Sequence, residues 1–550
     1  MMPLFFNLES HLWIAYLFIF NGLLLSLLLR LASPAFATLT EPIESLIVFS
    51  FVLSISLNGL ILLALDYFNL EFSTAFWALV SVSAFAAFAL YCFAGKQQSL
   101  GFIDVEWSCP RLFLYLVVFI ILFYNGGMID QLSDAWWHMS LTNKIAMANS
   151  YTPELGHLTS APARYYPPLW HGNLALAHIL SSESIPVFWN SFTAWGAVLK
   201  VMAFYCLAFG LTQSKKTAFI SAVLFVLLPG IGNSYLRVSA WPSHIAYIVW
   251  YFMLFVSFTI IHGLANEESK LSKQPFFKII ADSVKQHRLN IAILIASSVV
   301  VYYTHQTELL WFCVAFFAYF AAVSISRVLA NNHDFIASRD HAVLKLAYRL
   351  MLATLLLIAL NYVLKHFEVL SLDQSIAALL PLLILIILFM VELKGISRSF
   401  KIWLIGFISL AILASVNGIH FLSLFFEGMS VPRGAFHESP SSVAGYFGGA
   451  LDLPGWHLQL RSGLLYSGIL ALPLSLILVV VKPSPTTLFL SATALVSIVF
   501  CVSPYLYHWL KDILSYHSPW RITLMIFHPL IIAVCLVELL SYINRDQSNA

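Results

Sequence analysis

Apolar stretches of about 15 to 25 residues recur along the whole chain, separated by short polar breaks, and stretches of this length read as membrane-crossing helices. A helix satisfies its own backbone N–H and C=O groups, which lipid cannot do, so such runs imply helices and not open strands. The pattern predicts about fifteen spans. They lie near 11–29, 44–65, 74–94, 111–125, 186–211, 217–236, 241–262, 289–303, 308–328, 349–364, 376–392, 402–425, 463–482, 486–505 and 520–541. The expected fold class is all-α, a polytopic transmembrane helix bundle. The opening segment, MMPLFFNLESHLW, lacks the basic stretch of a signal peptide, so the first span is expected to be retained.

Composition agrees with the pattern. Hydrophobic residues make up 60% and charged residues 10%, with a mean hydropathy of +0.86, against roughly 25% charged residues in soluble domains. No soluble domain is expected. Most of the 28 Lys and Arg residues fall in alternate loops, among them Arg30, Lys96, Arg111, Lys215, Lys216 and the cluster from Lys270 to Arg288. Basic loops stay cytoplasmic, which predicts an N-terminus outside and a C-terminus inside; the expected location is a plasma (inner) membrane. The net charge of +2 then reflects topology, and no nucleic-acid partner is expected. The six cysteines lie in spans, near their ends or in an inner loop, so no outer disulfide framework is indicated. Metal-binding Cys/His spacing, a Gly-rich phosphate loop and a GxSxG elbow are all absent from the sequence.

The outer connections carry the chemistry. The longest, residues 126–185, is far longer than a helical hairpin needs, and a second outer loop covers 426–462. Within SDAWWHMSLTNK, Ser133 is a suitable N-cap for a surface helix with an apolar face of Trp137, Leu141, Ile145 and Ala148. Asp134, His138 and Thr142 share another face. A second surface helix is expected from Leu169 to Leu180, its start fixed by Pro167 and Pro168. Trp136, Trp137, Tyr165, Tyr166 and Trp170 suit an interfacial belt. Polar groups crowd this one membrane face: Asp130, Asp134, His138, Arg164 and His171 in the first loop, Arg237 and His244 around SAWPSH, and His305 with Glu308 in YYTHQTELLW. Arg433 in VPRGAFHESP and Arg521 in SPWRITL follow. A merely amphipathic collar would not need this density of ionisable groups.

A first large outer loop that opens with an acid just beyond a span, continues as two surface helices and carries Tyr-Tyr-Pro-Pro resembles the polytopic glycosyltransferases of the GT-C superfamily. The likeness lies mainly in residues 111–262. It implies additional membrane spans over 1–110 and a catalytic core over 111–550. It also implies transfer, with inversion, of a sugar from a polyprenyl-phosphate donor to a lipid, glycan or protein acceptor at the non-cytoplasmic face. The loop acid of that family maps onto Asp134, with Asp130 a close rival, as general base. His138, Arg164, Tyr165, Tyr166 and His171 would bind substrate. Arg521, then Arg237, His305 and Arg433, would stabilise the leaving phosphate. Glu308 is a second acid or half of a structural pair. The resemblance implies no cofactor; a metal-dependent variant would draw oxygen ligands from Asp130, Asp134 and Glu308. Two rival readings are an O-antigen type polymerase or ligase, resting on Arg433 and Arg461, and a lipid or solute transporter. The transporter reading needs ionisable groups at depth, for which the sequence offers Lys200 and His528.

Overall fold

The structure is a computed structural model that describes residues 8–94, 108–125, 134–151, 167–181, 183–228, 236, 238–271, 287–331, 471, 473–479, 482–502 and 524–548. Helix dominates these residues and no strand occurs among them. The helices are α1 (Leu8–Ala32, with one π turn at Tyr16–Phe20), α2 (Pro34–Leu39), α3 (Ile43–Tyr67), α4 (Ala75–Ala94) and α5 (Cys109–Asn125). They continue as α6 (Asp134–Ala148), α7 (Leu169–Ser181), α8 (Ile185–Thr212), α9 (Lys215–Leu227), α10 (Pro242–Leu271), α11 (Arg288–Thr304), α12 (Thr307–Asn331), α13 (Pro485–Val502) and α14 (His528–Ser548).

Among the described residues, five helices are long and apolar enough to cross a membrane: Leu8–Ala32, Ile43–Tyr67, Phe72–Phe93, Ile185–Thr212 and Pro242–His262. They coincide with five of the expected spans. Those expected at 111–125, 289–303, 308–328, 486–505 and 520–541 contain shorter apolar helices. The last of these starts only at His528, with Pro529 in its first turn, where a missing N–H costs nothing. Helix α9 stops at Leu227, short of the expected 236, because Pro229 disfavours helix in the residue before it. The spans expected at 349–364, 376–392 and 402–425 lie outside the described residues, as does the loop 426–462.

Two compact units make up the chain, one of Met1–Val226 with Asn233–Phe312 and the other of Leu227–Gly232 with Cys313–Ala550. The first three spans belong to the first unit. In that unit α8 and α10 pack along each other at the centre, with 83% and 89% of their most apolar windows buried. Only 11% of the Phe72–Phe93 window is buried, which leaves Trp77, Phe85 and Phe88 outward on a peripheral helix. Small residues bring α1 and α3 into backbone contact. The Gly22 N–H donates to Ser54 Oγ at 2.8 Å, and Ser50 Oγ donates to Ser26 Oγ at 3.2 Å.

Polar contacts gather at the two ends of this unit. At one end, Glu44 of α3 meets Arg111 of α5 (Nε–Oε1 3.4 Å) and accepts from Tyr115 Oη at 2.9 Å, while Arg111 donates to Tyr205 Oη of α8. All four side chains are buried. The opposite end holds the starts of α1, α8 and α10 and the end of α3. There Trp195 Nε1 donates to His11 Nδ1 at 3.0 Å, and Ser10 and Ser191 share a 2.8 Å hydrogen bond. In the second unit, Phe489 of α13 stacks on Phe527 and takes an edge contact from Tyr319, and Lys482 pairs with Glu538.

Candidate functional site

Helices α6 and α7 sit at the end of the first unit where α8 and α10 begin. The expectation of a second helix lying on the surface needs correction here. Helix α7 is embedded: Leu169, Trp170, His171, Asn173, Leu174, Ala175, Leu176 and Ala177 are all buried. Its polar groups can enter the interior because each finds a partner. Asn173 Nδ2 donates to the Leu169 carbonyl (2.8 Å) and its Oδ1 accepts from Asn58 Nδ2 of α3 (2.8 Å), while Trp170 Nε1 donates to the Ala240 carbonyl at 2.7 Å. Trp170 is therefore a core residue and not part of an interfacial belt. Trp136, 52% exposed, does face outward.

Helix α6 buries Leu141 and Ile145 of the apolar face its pattern suggests, but its inward face is turned toward His138 and Thr142 and leaves Ala148 out. Ala135, His138, Met139, Leu141, Thr142 and Ile145 are buried, whereas Ala148 is exposed. The face carrying His138 and Thr142 thus packs against the protein. Thr142 Oγ1 satisfies itself on the His138 carbonyl at 3.0 Å. His138 Nδ1 meets His171 Nε2 at 3.0 Å, and the His138 ring lies nearly parallel to Trp189 of α8, 16° apart at 6.1 Å. Trp137 packs edge-on against His171, and Trp241 lies 6.3 Å from His138. His171 Nδ1 faces the Pro167 carbonyl at 3.4 Å. Complete burial pushes its pKa down to about 3, only partly opposed by that carbonyl, so His171 is neutral at physiological pH.

The far end of α6 is latched to the α3–α4 hairpin. Asn149, with φ of 50° after the last helical turn, accepts from the Phe72 N–H (2.7 Å) and donates to the Leu70 carbonyl (3.1 Å). The Tyr151 N–H donates to Asp66 Oδ2 at 3.1 Å. Asn149 tolerates the left-handed conformation that ends the helix.

Two further pairs belong to this end. Beneath Trp241, Lys200 Nζ lies 3.0 Å from His244 Nδ1 and 5.2 Å from the Tyr247 ring centre, all three residues buried. Sequence reasoning placed Lys200 in a span but gave it no partner; the signal was a histidine in the first turn of another span. Helix α11 packs along α10 and reaches α7, and His305 follows directly on it, its Nδ1 bonded to Glu308 Oε2 in the first turn of α12. The His305 side chain is 14% exposed and that of Glu308 fully buried.

Of the sequence-derived site residues, the structure therefore brings together His138 with His171 and His305 with Glu308. Asp134 is the first residue of α6, one turn before His138 and on the same helix face by spacing. Asp130, Arg164, Tyr165, Tyr166, Arg237, Arg433 and Arg521 lie outside the described residues. Among the described residues, no group of three His, Cys, Asp or Glu side chains is placed to hold a metal ion.

No family model matches this chain, and no solved structure matches it. A DUF21 domain-containing protein of Arabidopsis thaliana is 28% identical over 145 residues, which is 23% of this chain and 34% of that protein. The chain thus spans about a third of the length of the curated relative it matches.

Proposed function

We propose that this protein is a glycosyltransferase of the GT-C type embedded in the plasma (inner) membrane, with about fifteen spans, its N-terminus outside and its C-terminus cytoplasmic. It moves a sugar from a polyprenyl-phosphate donor to a lipid, glycan or protein acceptor at the non-cytoplasmic face, with inversion. The observation that carries the reading is the seating of α6. The helix that opens at Asp134 is held against the bundle by the His138–His171 contact and, at its other end, by the Asn149 latch. Such a helix presents its first turn in a fixed position, which group transfer between two bound substrates requires.

The reaction needs a proton acceptor for the attacking hydroxyl and positive charge for the departing phosphate. Helix α6 offers two proton acceptors, the Asp134 carboxylate and the His138 imidazole. For the phosphate, Arg521 remains the first choice from sequence, with Arg237, His305 and Arg433 behind it, and Lys200 and His244 are further described basic groups toward this end. The test is transfer of radiolabelled sugar from polyprenyl-phosphate donors to a membrane extract by the purified full chain. Transfer that falls on removal of Asp134 or His138 supports the reading; absence of transfer from every donor defeats it.

The buried Lys200–His244 pair favours a second reading, a transporter, since ionisable groups within a span mark conduction paths. A transporter would move substrate across proteoliposomes without chemical change, and Lys200→Met would abolish that flux.

A further inference from the structure

Helix α11 reverses the order of a water-soluble helix. Ile295, Val299, Tyr302 and Tyr303 are 44–61% exposed and turn away from the bundle, whereas Asn290, Ser297 and Thr304 are 0–4% exposed. The three polar side chains stand seven residues apart in the sequence, and two helical turns bring a side chain back to nearly the same direction. They therefore form one line on the inward side of a helix that packs along α10 and touches α2, α3 and α7. All of these elements belong to the first unit.

Asn290 Oδ1, Ser297 Oγ and Thr304 Oγ1 are shielded from solvent and meet no hydrogen-bond partner among the described residues. Elsewhere in this unit a buried helical hydroxyl commonly closes on the carbonyl four residues before it. Ser50 donates to Leu46 at 2.7 Å, Thr193 to Trp189 at 3.0 Å, Ser221 to Thr217 at 2.7 Å and Ser257 to Met253 at 2.8 Å. Even Ser298, beside Ser297, donates to the Leu294 carbonyl at 2.8 Å. Among the described residues of the first unit, Ser297 and Thr304 carry the only serine or threonine hydroxyls that are shielded and without such a partner. Both are thus turned off their own helix. A buried polar oxygen left unpaired is costly, so places of this kind are normally filled by water or a ligand.

The spacing selects the occupant. Seven residues of helix span about 10 Å, so an ion held about 2.5 Å from one of these oxygens cannot touch the next. Three neutral oxygens also offer no charge to offset that of an ion. Water suits them: it donates to each oxygen, accepts from the two hydroxyls, and bridges the intervals with further water. We propose that the inward face of α11 holds a file of water running from Thr304, at the end of the unit where α6 and α7 sit, down to Asn290. Thr304 immediately precedes His305, whose Nδ1 is bonded to the buried Glu308 carboxylate. Each member of such a file takes a proton on one side and gives one on the other, so the file can relay protons between that pair and the depth of the bundle with no net change in itself. It would serve a transferase or a transporter alike.

The test is hydroxyl-radical footprinting of the wild-type full chain in lipid nanodiscs, in which X-rays generate radicals from water inside the protein as well as outside it and mass spectrometry reads the oxidised side chains. Val300 and Val301 lie on α11 between Ser297 and Thr304 and are 4% and 0% exposed; Val118 of α5 and Val201 of α8 match them at 3% and 0%. The α11 valines should be oxidised several-fold faster than their equally buried counterparts, and equal rates would overturn the proposal. Thr304→Val keeps the shape of the side chain and removes its hydroxyl. Bound water then loses a partner, so oxidation of Val300 and Val301 should fall toward the rate of Val201 and the melting temperature should not rise. A variant more stable than wild type would mean that Thr304 sits dry and unpaired, which also overturns the proposal.

Discussion

The Glu44–Arg111 contact permits a quantitative test of how the first unit is held together. Glu44 is fully buried and Arg111 is 4% exposed; Nε lies 3.4 Å from Oε1, Nη1 donates to Oε2 at 3.4 Å, and Tyr115 Oη donates to Oε1 at 2.9 Å. Glu44→Gln removes the charge but little volume, leaving a guanidinium buried without its counter-ion. Breaking a buried pair from one side costs about 3–5 kcal/mol, most of it the uncompensated charge. The reverse change, Arg111→Met, strands the carboxylate, softened by the Tyr115 hydroxyl, and should cost about 3 kcal/mol. The double variant removes both charges and should cost well below the sum, with a coupling of about 2–3 kcal/mol. The measurement is reversible unfolding in mixed micelles by added SDS, followed by tryptophan fluorescence. Single changes that cost under about 0.5 kcal/mol, or costs that simply add, would refute the inference that this pair ties α3 to α5.

Two other outcomes are expected. A Cβ at Gly22 would stand 1.8 Å from the Ser50 carbonyl oxygen, so Gly22→Ala should force α1 from α3 and lower stability by about 1–3 kcal/mol in the same SDS titration, whereas an unchanged unfolding midpoint would mean the helices do not touch there. Because His171 has a folded-state pKa pushed down to about 3 from 6.5, the unfolded chain binds more protons between those values, so its stabilising contribution is complete above 6.5 and is lost as the pH falls toward 3. The slope should approach 1.4 kcal/mol per pH unit, about the value for one proton, and His171→Gln should flatten it; an unchanged slope would rule out His171 as the source.

Length and hydropathy made the long spans legible, because lipid imposes one solution on any apolar run of sufficient length. What they do not encode is which face of a shorter helix turns inward. The α6 pattern offered Trp137, Leu141, Ile145 and Ala148 as the packing face; Leu141 and Ile145 are indeed buried, but so are His138 and Thr142, since His171 and a backbone carbonyl satisfy them. A buried polar side chain is legible only together with its partner, and these partners lie 33 residues apart for His138 with His171 and 44 for Lys200 with His244. Arg111 illustrates a second limit. As one basic residue among many it counted only toward topology, while its contact with Glu44, 67 residues earlier, depends on how α3 and α5 pack. The His305–Glu308 pair needed no such information, because three residues separate its members.

The latch between α6 and the α3–α4 hairpin also bears on the order of assembly. Asp66, the Leu70 carbonyl, the Phe72 N–H and Asn58 are all synthesised before the groups they receive, the Tyr151 N–H, the Asn149 amide and Asn173. Chains fold from the N-terminus as they emerge. The hairpin that receives α6 and α7 is therefore synthesised before them, so the groups it offers are in place for those helices to meet as they emerge. Expressed without residues 1–94, the later helices would lack that receiving surface, and supplying those residues as a separate chain should restore their seating.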